Sequence, residues 1–250
     1  MNNSFIIEQL KHEFTGKPTF TRGELYSFYH KFSPDLKETT FRWRVHDLKE
    51  KHLIASLSKG VFTLTYKPTY EPPISEFENR LGNKIQKQFP TLKYCLWSTK
   101  AINEFMLHIP DKFITILEVE KDAIEPMFSF LKEQNFKNVF LQPETKEIER
   151  YLFETDSSIV LESLVSKAPK QLVNNISTIT IEKLIVDLFV DRKLFNAYQG
   201  SELIHIINTI YRRYSVNFTT VFSYARRRRK KGLMEFLLNN TDIPQSIFHD

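Results

Sequence analysis

Three sets of residues have the types and spacing to do chemistry. The first closes the run Phe113–Lys121, FITILEVEK, where Glu118, Glu120 and Lys121 end an apolar segment and Asp111 precedes it. A carboxylate, one intervening residue and a lysine on a strand end is one way to hold Mg²⁺ against a phosphodiester. Here Lys121 follows Glu120 directly, so on a strand the two side chains point to opposite faces. Solvated charges at a strand end are therefore expected, not a metal centre. The second set is the seven histidines, His12, His30, His46, His52, His108, His205 and His249. None stands at i, i+4 from another and no HExxH occurs, so zinc-ligand spacing fails. His205 sits in an apolar helical stretch and is expected to be a hydrogen-bonded core residue. GxSxG, GxGxxG and GxxxxGK[ST] are absent, and only 6 glycines are available for phosphate-cradling loops. The single cysteine, Cys95 in LKYCLW, rules out a disulfide within the chain and is expected to be a buried, inert thiol. No catalytic residue, metal or cofactor is expected on these grounds.

The third set is cationic. In Thr39–Ile54, TTFRWRVHDLKEKHLI, helical spacing puts Phe41, Val45 and Leu48 on one stripe, with Leu53 continuing it. Thr39, Arg42, Trp43, His46 and Lys49 fall on the other side, and Arg44 adds a further cation. Arg42 and His46, four residues apart, are the best placed to reach base edges. Lys37, Lys59 and Arg22 surround them as candidates for phosphate contact, each of which would steepen the salt dependence of binding. Trp43 has two readings, a base-side contact or packing against a neighbouring hairpin. Farther on, Arg226–Lys231, RRRRKK, is the densest charge in the chain. On one continuous helix, Arg226, Arg229 and Lys230 share a side while Arg227 and Lys231 share another. With Arg212 and Arg213 on the preceding helix, Arg226, Arg227, Arg228, Arg229 and Lys230 form a candidate basic C-terminal face for nucleic acid or an acidic partner.

The elements that must position these groups follow from periodicity and punctuation. Residues 5–13 and 22–32 are expected as helices, the second begun by Thr21, and Ser33-Pro34 turns the chain into the cationic helix. Ser58-Lys59-Gly60 divides the alternating segment Ala55–Thr65 into a hairpin. Three short helices and a hairpin in about 65 residues is the order of a winged helix-turn-helix. Tyr66–Pro73, YKPTYEPP, stops helix and sheet alike and marks a linker. Beyond it, Leu92–Ser98, Phe113–Val119, Asn138–Leu141 and Ser158–Leu161 are expected as strands. Residues 74–90, Ala101–His108 and Ala123–Glu133 are expected as helices. From Thr178 onward only helices are expected: Thr180–Phe195, Ser201–Tyr211, and Phe218–Leu238. The fold class is thus α+β. A winged-helix DNA-binding domain spans residues 1–68 and a mixed α/β domain residues 69–250, the latter with a small sheet and helices over 74–176 and a helical segment over 177–240.

Charge follows the same division. Net charge is +5; residues 1–70 hold 11 Lys and Arg against 7 Asp and Glu, and residues 212–231 hold 8 basic and no acidic residues. Basic ends around a more acidic middle suggest a polyanion partner. MNNSFIIEQL has no apolar core long enough for a signal peptide and no run reaches transmembrane length, so a cytoplasmic protein is expected.

Three stretches carry a family resemblance. These are Thr180-x-Glu182-Lys183-Leu184-x-Val186-Asp187; Tyr224-Ala225-Arg226-Arg227-Arg228; and Phe113–Glu120 following Leu96-Trp97-Ser98-Thr99. Together with the N-terminal helices, the chain resembles AbiEi-type antitoxins of type IV toxin–antitoxin systems and their bacterial relatives. The resemblance implies a transcriptional autorepressor whose winged helix binds inverted repeats of double-stranded DNA in a promoter. It implies a C-terminal domain that opposes a nucleotidyltransferase-like toxin without forming a stable complex with it. Carried onto this chain, the DNA-contacting residues are Thr40, Arg42, Trp43, Arg44, His46 and Lys49. The alternative is a metal-dependent nucleic-acid-processing enzyme, nuclease or nucleotidyltransferase-like, whose winged helix delivers substrate. A third reading keeps the winged helix as a protein-docking module.

Overall fold

Thr21 and Glu24 decide where the second helix starts. The Thr21 hydroxyl accepts from the Glu24 amide while the Glu24 carboxylate accepts from the Thr21 amide, a reciprocal cap that satisfies two orphan donors. A computed structural model describes residues 3–148, 158–230 and 232–248. The chain divides into two compact units. The first comprises Met1–Thr69, Tyr211–Thr219 and Met234–Asp250; the second comprises Tyr70–Ile210 and Thr220–Leu233.

The first unit opens with α1 (Asn3–Phe14), β1 (Phe20–Thr21), α2 (Arg22–Phe32), α3 (Glu38–Glu50), β2 (Ala55–Ser58) and β3 (Val61–Thr63). Its core is aromatic: Phe14, Phe20, Phe28, Phe41 and Phe62 are buried with Leu10, Leu25 and Leu48. Phe14 and Phe20 stack at 4.1 Å between ring centroids. Each such side chain contributes about 1.5–3 kcal/mol by leaving water. The three strands form an antiparallel sheet in the order β1-β3-β2, with Phe20 opposite Phe62. Gly60 makes the hairpin turn at φ 76°, where a side chain would be strained.

The hairpin does not stand free. The Lys59 amide donates to Thr219 Oγ1 at 2.9 Å and the Arg22 amide donates to the Gly60 carbonyl at 2.6 Å. All three residues of β3 are buried. The third helix ends before Leu53, which the sequence reading places just past it. His52 adopts φ 55°, its amide turns back to the Lys49 carbonyl and the Leu53 amide to that of Leu48, and this stops the helix at Glu50.

The second unit begins with α4 (Glu76–Gln88), started by a reciprocal cap between Ser75 and Glu78. β4 (Tyr94–Ser98), β5 (Ile114–Val119), α5 (Ile124–Glu133), β6 (Val139–Leu141), α6 (Thr145–Glu147), β7 (Ser158–Ser163), β8 (Lys170–Val173), β9 (Ile176–Ile179) and α7 (Ile181–Val190) follow. The four strands expected from sequence all form. They make one sheet in the order β4-β5-β7-β6, antiparallel between β4 and β5 and parallel elsewhere. Every residue of β5 is buried, which suits a central strand in a largely parallel sheet. Ala101–His108 is a 3₁₀ helix over Thr99–Phe105 instead of an α-helix. The β8–β9 hairpin was not foreseen; its turn rests on Asn174 and Asn175, both at positive φ.

Three further helices complete the chain: α8 (Ser201–Arg213), α9 (Phe218–Arg227) and α10 (Leu233–Asn240). The single helix expected over Phe218–Leu238 is therefore two. Arg229 takes φ 56°, with its amide on the Arg226 carbonyl and the Lys230 amide on that of Ala225, the same left-handed stop as at His52. Residues 211–219 and 234–250, within the span expected as the second domain, group with residues 1–69 in the first unit. No helix among the described residues is long and apolar enough to cross a membrane.

Candidate functional site

In the first unit the sequence-derived candidates cluster on α3. Phe41 and Leu48 face the core, and Thr39, Thr40, Arg42, Trp43 and His46 are exposed. Trp43 is 63% exposed, which excludes packing against the hairpin as its role. Lys37, at the N-cap position of α3, and Lys59, at the hairpin turn, are also exposed.

The face is less cationic than the sequence suggests. Within α3, Glu38, Asp47 and Glu50 match Arg42, Arg44 and Lys49. Arg42 Nε donates to Glu38 at 2.9 Å, and Arg22 pairs with the same carboxylate. The Arg42 hydrogen bond, with the Arg22 charge, holds the Glu38 carboxyl below the usual range. Arg44 lies over the Tyr29 ring at 4.9 Å, and its Nη1 is buried with no hydrogen-bond partner. Lys49 lies over the Phe62 ring at 5.1 Å, and burial pulls its ammonium below the ordinary lysine pKa. Arg44 and Lys49 thus lean on the aromatic core edge, a use of long cationic side chains as packing. The outward groups are two threonines, a tryptophan, a histidine and Arg42.

The expected basic C-terminal face separates into parts. Arg212 and Arg213 belong to the first unit, where Arg212 pairs with Asp242 at 3.3 Å. Arg226, Arg227, Arg229 and Lys230 belong to the second and are exposed; Lys231 and His249 lie outside the described residues. Arg228 is a correction to the sequence reading. It turns inward, with Nη1 2.8 Å from Asp187 Oδ1 and Nη2 2.6 Å from Asp191 Oδ1. The helix stop at Arg229 puts Arg228 at the end of the helical turn, where its side chain reaches back to α7.

That contact belongs to a buried cluster that sequence reasoning did not assemble. The Thr180 hydroxyl accepts from the Lys183 amide and starts α7, which carries Lys183 and Asp187 one turn apart on its inner face. Lys183 is fully buried. Its Nζ lies 2.9 Å from Glu118 Oε1 and 2.7 Å from Oε2, and it also pairs with Asp187. Only the Oε1 contact has hydrogen-bond geometry, so Oε2 is held by charge and takes no hydrogen bond. The Tyr224 hydroxyl donates to Asp187 Oδ1 at 3.1 Å.

Burial works against the Lys183 ammonium, but Asp187 and Glu118 outweigh it and hold the pKa well above the usual lysine value. Arg228 is likewise raised, burial being overcome by Asp187 and Asp191. Glu118 is raised by burial and by Asp187, with Lys183 opposing. Burial raises the Cys95 thiol far above its normal pKa, so it is an inert core residue as its setting in LKYCLW suggested. The signal available in sequence was the pair Lys183 and Asp187 at i, i+4 inside IEKLIVDLFV, where both fall on an otherwise apolar face. All three stretches that carry the antitoxin resemblance send residues here: Glu118, Lys183, Asp187, Tyr224 and Arg228.

Glu120 does not join Glu118. It lies beyond the end of β5 and pairs with Lys93 at 3.2 Å on the surface. Asp111 and Lys121 are exposed. Among the described residues no group of three His, Cys, Asp or Glu is placed to hold a metal ion.

A mixed four-stranded sheet covered by helices, with an internal Lys–Glu–Asp–Arg cluster, defines the second unit; a helical unit with a small antiparallel sheet and an exposed polar–aromatic helix face defines the first. The chain belongs to a family of unknown function, DUF6577, whose model matches residues 40–243. No curated protein matches the chain. The matched span holds the whole buried cluster and α3 from Thr40 onward, and nothing in the match ties the family to AbiEi-type antitoxins.

Proposed function

We propose that the chain is a double-stranded-DNA-binding transcriptional regulator that uses α3 as its recognition helix. The observation that carries this reading is the outer face of α3. Thr39, Thr40, Arg42, Trp43 and His46 stand exposed on one helix whose opposite side is anchored by Phe41 and Leu48. An exposed tryptophan flanked by hydroxyl, guanidinium and imidazole groups offers what base edges and backbone require. α2 and α3 joined by a short turn, then a hairpin, support the winged-helix reading, and Lys37 and Lys59 supply phosphate contacts beside the helix. The antitoxin resemblance extends the role. The regulator represses its own promoter at inverted repeats, and its second unit opposes a nucleotidyltransferase-like toxin without a stable complex. No catalytic step is required of the chain.

The test is fluorescence anisotropy with the duplex lying upstream of the chain's own reading frame, titrated at several salt concentrations. Binding is expected to weaken steeply with salt. An Arg42→Ala, Trp43→Ala double variant is expected to lose at least about tenfold in affinity while unfolding at the same denaturant concentration as the parent. Unchanged affinity in that variant, or absence of duplex binding at low salt, overturns the assignment.

A further inference from the structure

The second unit contains a cleft of about 290 Å³ on the face of the sheet that carries the buried cluster. That volume is close to the lower limit for pockets that enclose small ligands. Trp97 and Ile116, Glu118 and Glu162, the end of α7 and Arg228 surround it.

Two features of its wall are unfinished. Glu118 on β5 and Glu162 on β7 are direct partners in the parallel register, so their carboxylates stand side by side on one face. Like charges in directly opposite positions repel. Of the cations nearby, Lys183 and Arg228 are engaged within the cluster, while Lys193 acts on Glu162 through its charge. Lys183 takes Glu118 Oε1 and Asp187 Oδ2, and Arg228 takes Asp187 Oδ1 and Asp191 Oδ1. Lys193, at the cleft, has its Nζ 3.5 Å from the Pro143 carbonyl. Glu118 Oε2 already lies 2.7 Å from the Lys183 ammonium, whereas no hydrogen bond among the described residues reaches the half-buried Glu162 carboxylate. Once Glu162 is ionised, Glu118, Glu162, Asp187 and Asp191 exceed Lys183, Lys193 and Arg228 by one charge.

The second unfinished feature has the opposite polarity. Trp97 is 1% exposed and lines the cleft, and its indole N–H has no acceptor. A buried donor left unpaired loses hydration without compensation. The Trp97 ring lies 5.9 Å from that of Phe195, tilted by 32°, so the same wall presents an aromatic surface.

We infer that the cleft binds a small, flat guanidinium- or amidinium-bearing compound that also carries a carbonyl or hydroxyl oxygen. Its N–H edge meets the Glu162 carboxylate, its plane lies against Trp97 and Phe195, and its oxygen accepts from the indole N–H. A planar cation matches a carboxylate through parallel hydrogen bonds and stacks on aromatic rings, which a tetrahedral ammonium does less well. A bare divalent ion is the weaker fit, because it leaves the indole N–H unsatisfied. The site is independent of the proposed DNA-binding role and is tested without DNA.

Trp97 reports directly on binding once Trp43, the other tryptophan, is replaced by Phe. On the full-length Trp43→Phe chain, L-argininamide is titrated alongside L-lysinamide, which has the same charge and carbonyl but an ammonium head, and alongside MgCl₂. A saturable change in Trp97 fluorescence is expected with L-argininamide, at least about tenfold tighter than with L-lysinamide. Adding Glu162→Gln, a half-buried site with no hydrogen bond to lose, is expected to weaken L-argininamide by about tenfold or more without moving the denaturation midpoint at acid pH. Affinity is expected to rise from about pH 6 to about pH 8 as Glu162 gives up the proton that burial, Asp191 and Glu118 favour and that Lys193 and Arg228 oppose. Absence of saturation by about 10 mM, equal response to L-lysinamide, indifference to Glu162→Gln, or tighter binding of Mg²⁺ at this site would each overturn the inference.

Discussion

The charged groups of α3 and those in the interior beside α7 are of the same four types, Lys, Arg, Asp and Glu, and they are used in opposite ways. Around Glu38, the arginine and glutamate side chains stay between 44% and 74% exposed, and water screens their attraction. Lys183 has no exposure and its partners Glu118 and Asp187 only 6% and 4%, so each charge depends on its protein partners. A surface charge pair can be lost with little effect on the fold and is free to exchange its partner for a phosphate. An interior pair is fixed, and removing one member strands the other. The exposed charge on α3 is thus available for the recognition role proposed for that helix, whereas charge on α7 holds the interior together.

The contrast is tested most severely by Asp187→Asn and Lys183→Met. Each leaves partners buried without a counterion, so a loss of about 3–5 kcal/mol is expected in urea denaturation followed by circular dichroism. Glu162 comes next. Burial, with Asp191 and Glu118, pushes its carboxyl up to about 7 from the ordinary 4.5. Because the folded value is the higher one, its stabilising contribution is complete below about pH 4.5 and is lost as pH rises through about 7. Glu162→Gln is therefore expected to be more stable than the parent at about pH 8 by roughly 1–2 kcal/mol, after allowance for solvent screening, and equal to it in acid. A parent and variant that run parallel across that window would break the interior half of the comparison.

On the surface half, Glu38→Gln is expected to change stability by less than about 1 kcal/mol, since both of its pairs are exposed. It should also tighten duplex binding at low salt by releasing Arg22 and Arg42, measurable in the same anisotropy titration. A cost as large as that of Asp187→Asn would erase the distinction between the two regions. The smallest effect belongs to Arg229→Gly, which removes a side chain from the left-handed stop after α9. It is expected to add about 0.5–1 kcal/mol, read from the denaturant midpoint.

These regions also differ in how far the sequence revealed them. The start of α2 at Arg22 was visible because its cap is local, with Thr21 and Glu24 three residues apart. The strands at Leu92–Ser98 and Phe113–Val119 were visible as short apolar runs. The end of α9 was not, because Arg229 occupies a position where glycine is the usual marker, and the chain has only 6 glycines. The Asn174-Asn175 turn escaped for the same reason: asparagine adopts positive φ without announcing it. For the sites, periodicity identified which residues of α3 face outward, since that is a property of one helix. It did not reveal that Arg44 and Lys49 lie along aromatic rings, or that Arg228 leaves the basic run to join Asp187. Those depend on residues distant in sequence, and no local pattern carries them.

The ion pair between Lys183 and Glu118 joins positions 65 residues apart. A nascent or half-melted second unit in which β5 has packed before α7 arrives would strand an anion in oil, and one with α7 docked alone would strand a cation. Both intermediates are penalised, so the sheet and its covering helix have to arrive together or not at all. The buried lysine acts as an assembly checkpoint: it keeps partly built forms scarce and makes the melting of this unit abrupt.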